Sequence, residues 1–149
     1  MDYKVLRATE EWQRAASYFV RINAMNRKYH ISLRDEFDEH DNDSSKYAIL
    51  LDDTYPISTA RFYEFDKDTA LIGRVVVLEE YRNKGIGAKT MLEAEKWIKE
   101  LGYKKIVIDS RLEAVDFYKK LGYMLVEDCR CKCQCKTKTF ECIKMEKEI

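Results

Sequence analysis

The apolar positions change period along the chain, and each change marks an element. Tyr3 to Arg7 alternates as a short strand does, and Thr9 followed by Glu10 and Glu11 reads as a helix start, with carboxylates where they complement the dipole. Trp12, Ala15, Ala16, Phe19, Ile22 and Asn26 then recur at helical spacing, which predicts that this face packs inward. From Tyr29 to Ser45 the period is lost and the chain turns polar. Lys46 to Leu51 and Ile57 to Phe65 read as strands around the turn-rich stretch Asp52 to Pro56. After a polar turn, Asp66 to Asp68, comes a run rich in β-branched residues, Leu71, Ile72, Val75, Val76 and Val77, which suits a buried strand.

A helical pattern follows, with Gly87, Met91, Ala94, Ile98 and Leu101 on one face and Gly102 as its C-cap. Lys105 to Asp109 is the next strand. Because a helix separates it from the Val75 to Val77 strand, the two should run parallel by a right-handed crossover. A second helix from about Glu113 stops at Gly122, and Tyr123 to Val126 pairs with Phe140 to Glu146. The three strands before the long helix, joined by short loops, are expected to be antiparallel neighbours.

At 149 residues the chain has the length of one domain, taken as residues 1–149. Basic and acidic side chains number 27 each, so the basic excess that a nucleic-acid surface needs is missing. No apolar run approaches a membrane span, and the N-terminus lacks the apolar core of a signal peptide, so the expected location is cytoplasmic, with no membrane partner. Five cysteines in that setting are expected to be reduced thiols.

Candidate chemistry centres on Arg82, Asn83, Lys84, Gly85, Ile86, Gly87 and Ala88, where the strand ends and the long helix begins. Such a turn presents unpaired backbone N–H groups at the positive end of a helix dipole, a site suited to phosphate. The spacing fits neither a P-loop nor a Rossmann fingerprint. Arg82-x-x-Gly85-x-Gly87 instead resembles the acyl-CoA loop of the GCN5-related N-acetyltransferases (GNAT). The valine run before it and the segment Phe117, Tyr118, Lys119, Lys120, Leu121, Gly122, Tyr123 after it resemble that family's flanking motifs, in the family's order.

The resemblance implies an α/β (α+β) fold, GNAT-like, with a mixed, mostly antiparallel sheet, a central βαβ unit and helices on both faces. It implies an N-acetyltransferase that moves an acetyl group from acetyl-CoA, with no metal required, to a primary amine on a small molecule or peptide. The loop from Arg82 to Ala88 would hold the coenzyme diphosphate, with Lys120 as a further phosphate partner. Backbone N–H groups around Val75 and Val76 would polarise the thioester carbonyl, and the strand through Val77 would accompany the pantetheine amides at a splay between the central strands. Tyr118 stands where many members place a proton donor to the leaving thiolate. The base for the amine stays open among Glu64, Asp109 and the carboxylates of the Asp35 to Asp41 run. The chain reads Asp109, Ser110, Arg111 where the family often has an asparagine, and Ser58 stands where a glycine is common.

Two further features compete for attention. The acid-rich run, with Glu36, Asp38 and Asp41, reads as a solvated face or as a rim that attracts a cationic amine. Cys129, Cys131, Cys133 and Cys135, with Cys142 beyond, have the CxC rather than the CxxC spacing usual for zinc, so no metal ligand is assigned. The alternatives to an enzyme are a non-catalytic acyl-CoA-binding sensor and a metal- or redox-responsive protein using the Cys129 to Cys135 cluster. A homodimer is left open.

Overall fold

The computed structural model describes the backbone of residues 2–135 and 138–149 and the side chains of residues 2–126 and 141–149. Seven strands form one sheet: β1 (Tyr3–Arg7), β2 (Lys46–Asp52), β3 (Tyr55–Asp66), β4 (Thr69–Val77), β5 (Lys105–Arg111), β6 (Met124–Cys135) and β7 (Lys138–Glu148). Their order is β1-β2-β3-β4-β5-β7-β6. Every pairing is antiparallel except β4 with β5, the crossover pair expected from the intervening helix.

Helix α1 (Glu11–Arg21) continues through a π-helical turn, Ile22–Asn26, into the short α2 (Arg27–Tyr29); α3 (Leu33–Glu36) follows. Helix α4 (Ile86–Glu100) spans the crossover and α5 (Val115–Lys120) precedes β6. Alternating residues of the strands face different helices, as the pleat requires. Ile49 and Leu51 of β2 pack with Ala16 of α1, whereas Ala48 belongs to the cluster that holds Met91, Ala94 and Ile98 of α4. The same division runs along β3, where the Ser58 and Thr90 hydroxyls meet at 2.7 Å and the next residue, Thr59, meets Ser17 at 2.6 Å. Ser58, in a glycine's customary place, is therefore a hydroxyl clamp between sheet and α4.

Several expectations shift. The cap of α1 falls on Glu10 rather than Thr9, because the Gln13 side-chain oxygen accepts from both backbone N–H groups. Trp12 is 51% exposed; Ala16 and Asn26 are buried as expected, but the buried residues of α1 are Gln13, Ala16, Ser17, Val20 and Arg21, largely out of phase with the apolar reading. Three of those five, Gln13, Ser17 and Arg21, are polar, and their hydrogen bonds make that burial tolerable. Leu101 lies past the last turn of α4 and is exposed. The strands β6 and β7 extend well beyond the expected Tyr123 to Val126 and Phe140 to Glu146, to Cys135 and from Lys138. The side chains of Cys129, Cys131, Cys133 and Cys135 lie outside those described. Cys142 is buried and disulfide-bonded, in contrast to the reduced thiol expected.

Candidate functional site

Strands β4 and β5 pair at Thr69 with Lys105, Ala70 with Ile106 and Leu71 with Val107, and then separate. Each keeps its outer neighbour: β4 stays on β3 as far as Val77 opposite Ser58, and β5 stays on β7 as far as Arg111 opposite Cys142. The sheet thus opens as a V in its middle. Along the open part, β4 turns towards β5 a backbone edge with no strand on it.

A bulge sharpens this opening. Thr59 pairs with Val76 and Arg61 with Gly73, so two residues of β4, Arg74 and Val75, stand opposite Ala60 alone. Arg74 takes the left-handed φ of +51°, which non-glycine residues adopt at a cost of about 1–2 kcal/mol. A cavity of about 360 Å³ occupies the V. Val75, Val76, Ile108, Ala114 and Tyr118 line one part of it; Glu36, Asp38, Arg61, Tyr63, Arg74 and Asp109 are in the wall of the other.

Tyr118 is 6% exposed, its ring set edge-on to Phe117 and Tyr123. Burial pushes its phenol pKa above the ordinary value, so the neutral, proton-bearing form is favoured. Its hydroxyl has no hydrogen bond to any described residue.

The glycine loop lies beyond the strand's end, outside the cavity wall. Gly85 has φ of +76° and Asn83 +63°, and the first helical bond of α4 runs from the Lys89 N–H to the Gly85 carbonyl. The N–H groups of Ile86, Gly87 and Ala88 are therefore those a helix start leaves unpaired. Gly87 permits close packing: a Cβ there would sit 3.2 Å from Phe117 Cζ and 3.4 Å from Val77 Cγ2. This ties α4, α5 and the end of β4 together. Ile86 is 1% exposed and anchors the turn, whereas Arg82, Asn83, Lys84 and Lys120 are exposed. Arg82 Nε donates to the Val77 carbonyl at 3.1 Å.

Glu36, Asp38 and Asp41 of the acidic run face inward, whereas Glu39 is exposed. Glu36 is paired with Arg21 and Arg74, Asp38 with Arg61 and Arg74, and Asp41 with Arg21 and Arg61. Tyr47 also donates to Asp41, at 2.9 Å. Burial alone would raise the Asp41 carboxyl pKa, but the bond and charge of Arg21, with the Asp38 N–H and Arg61, hold it well below the carboxylate range. Asp38, opposed by Arg61 and Arg74, is lowered in the same way against its own burial. Glu36 and Asp38 reach the cavity wall, and Asp41 lies behind it. Of the open choices for a base, Asp109 lines the cavity, whereas Glu64 does not and accepts from the Tyr103 hydroxyl at 2.8 Å.

The structure thus gathers Val75, Val76, Tyr118, Glu36 and Asp38 on one cavity, whereas Val77 and the residues from Arg82 to Ala88 lie outside its wall. The arginines of this wall escaped the sequence reading. Arg74 interrupts the apolar run Ala70 to Val77 and Arg61 stands between Ala60 and Phe62 inside a strand, and a charge in such a position signals a buried partner. Among the described residues no helix is long and apolar enough to cross a membrane.

Known proteins resemble this chain in sequence and fold. An uncharacterised acetyltransferase of Streptococcus pyogenes is 35% identical over 91 residues, 61% of this chain and 64% of the relative, so the match spans just under two thirds of that protein's length. The crystal structure of a Lactobacillus plantarum protein whose name proposes an N-acetyltransferase is 27% identical, covers 99% of each chain and superposes with a TM-score of 0.87. The PaiA N-acetyltransferase of Thermoplasma acidophilum, solved in complex with coenzyme A, shares the fold at 16% identity, with full coverage of both chains and a TM-score of 0.72. The model of the Acetyltransferase (GNAT) family matches residues 6–123, from β1 to the turn before β6, and the chain belongs to that family.

Proposed function

We propose that the protein is an N-acetyltransferase that transfers an acetyl group from acetyl-CoA to a primary amine by direct attack on the thioester. The observation that carries this reading is the early end of the β4–β5 pairing, with Val75, Val76 and Tyr118 around the resulting cavity. A V-shaped gap between parallel strands offers a backbone edge to the two amides of pantetheine, as strand addition does in peptide recognition. The unpaired N–H groups of Ile86, Gly87 and Ala88 suit the diphosphate, and the exposed Arg82, Lys84 and Lys120 suit its charge. That the Thermoplasma protein of the same fold was solved in complex with coenzyme A supports coenzyme binding as part of this reading.

In the reaction the acceptor nitrogen forms a bond to the acetyl carbon. Backbone N–H groups near Val75 and Val76 stabilise the oxyanion of the tetrahedral intermediate, and the carbon–sulfur bond then breaks. The Tyr118 phenol gives its proton to the departing thiolate. The proton lost by the amine passes to Asp109, directly or through water. That transfer matters because a lysine-like amine, with a pKa near 10.4, costs about 4–5 kcal/mol to deprotonate at neutral pH.

Calorimetric titration with coenzyme A, followed by a thiol-release assay with acetyl-CoA and a panel of amines, tests the reading. Binding with transfer is expected. Binding without transfer to any amine identifies an acyl-CoA sensor instead, and a folded protein with no affinity for coenzyme A overturns both.

A further inference from the structure

Resting on the transferase reading, we propose that the acceptor is an amine that also carries a carboxylate, and that Arg74 is the residue that binds this carboxylate. The first argument is the state of the hydrogen-bonding groups at the acceptor end of the cavity. Both oxygens of Asp38 accept from Arg61, and one of them also from Arg74; both oxygens of Asp41 accept from Arg21. Three arginines face three carboxylates in this cluster, so it is neutral as a whole. The acids are spent on the protein itself, and little remains of them to attract a cation.

The guanidinium of Arg74 is different. Its Nη2 donates to the Glu36 carbonyl at 3.0 Å and to Asp38 at 3.2 Å, and its Nε lies 3.2 Å from a Glu36 carboxylate oxygen. Its Nη1 makes no hydrogen bond to any described residue, and the side chain is 28% exposed. Arg61 Nε also has no hydrogen-bond partner among the described residues but is buried, so the capacity of this wall left open to a ligand is a donor on the Arg74 cation, held in place from one side. A carboxylate completes it, as charge-assisted hydrogen bonds to arginine are the strong ones. A doubly charged phosphate would sit against Asp38 and Glu36 and suits the site less.

Backbone strain points to the same residue. A non-glycine residue at positive φ inside a strand is stable only when its surroundings hold it there, and such outliers gather at ligand clamps. The bulge that imposes φ of +51° turns Arg74 into the cavity immediately before Val75. A carboxylate on Arg74 thus lies one residue from the N–H groups assigned to the thioester carbonyl. An amine a few bonds away in the same molecule can reach that carbonyl, and about 360 Å³ accommodates a ligand of that small size.

The test compares acceptors that differ by one carboxylate: lysine with 1,5-diaminopentane, ornithine with 1,4-diaminobutane, and alanine with ethylamine. Thiol release from acetyl-CoA gives kcat/KM for each, and calorimetry with coenzyme A runs alongside. The expected result is a preference of at least about tenfold for the carboxylated member of one or more pairs, with Arg74→Gln lowering its kcat/KM about ten- to a hundredfold, the range for a hydrogen bond to a charged group. Arg74→Gly, which relieves the left-handed backbone, is the second variant should the glutamine form melt early. Equal or better use of the plain amines, or a preference that survives in a folded Arg74 variant, overturns the inference and leaves the transferase reading standing. Transfer to none of the six by protein that binds coenzyme A and acetylates another amine of the panel overturns the inference alone; transfer to no amine at all overturns both.

Discussion

Tyr118 and Asp41 show how one buried polar group serves chemistry and another serves the frame. Tyr118 lines the cavity, packed among apolar and aromatic groups whose burial of the phenol keeps its proton on. Tyr118→Phe removes that proton while keeping the ring contacts, so turnover is expected to fall about ten- to a thousandfold with coenzyme affinity nearly unchanged. Single-turnover kinetics, where chemistry is observed directly, is the measurement; an unchanged rate there removes Tyr118 from the mechanism. Asp41 is the counterpart behind the cavity wall. Its side chain is 4% exposed and it neutralises Arg21, which is fully buried. Asp41→Asn leaves Arg21 with Glu36 alone and removes a partner of Arg61 as well, and urea unfolding should show a loss of about 3 kcal/mol, the low end of the cost of breaking a buried pair from one side. A loss under about 1 kcal/mol, the range of an exposed pair, contradicts this account.

At the scale of elements, the β4–loop–α4 unit was legible because its signals are local. Valines gave the strand, glycines the turn and the apolar period the helix, and all three stand where the sequence puts them. The two glycines have separable roles. Gly85 is in open space with φ of +76°, so Gly85→Ala should cost about 1–2 kcal/mol of stability through backbone strain alone. Gly87 is at ordinary helical φ but crowded by Phe117 and Val77, so Gly87→Ala should push α4 away from α5 and the end of β4. The expected outcome is a several-fold weaker coenzyme A affinity by calorimetry with the melting temperature little changed. An affinity equal to the parent's places the phosphate site elsewhere. Helix α1 was less legible, since its buried face carries Gln13 and Ser17. An apolar period cannot register side chains that are buried because they are hydrogen-bonded. The long-range partners are the reason: Thr59 is 42 residues away from Ser17.

For the whole molecule, the same non-local logic decides what the acid-rich run does. Its composition reads as a surface, yet it meets arginines that come from α1, β3 and β4. Only the folded topology brings those together. Stability should consequently depend on acid pH in a definite sense. Asp38 and Asp41 are held below the ordinary carboxylate pKa in the folded state, while in the unfolded chain they titrate near the reference value of about 3.9. Folded carboxylates that bind protons less readily than unfolded ones contribute stability that is complete above that value and is lost as pH falls through it towards the folded pKa values. The arginine partners stay protonated throughout, so the titration belongs to the acids. Urea midpoints should be nearly level above about pH 5 and decline steeply below about pH 4. The same series on a folded Asp41→Asn variant should start lower at neutral pH and decline less steeply, because the strongest of these acid titrations has been removed. Parallel acid declines in the two proteins would show that carboxylates elsewhere, and not this cluster under the cavity, govern the acid limit of the fold.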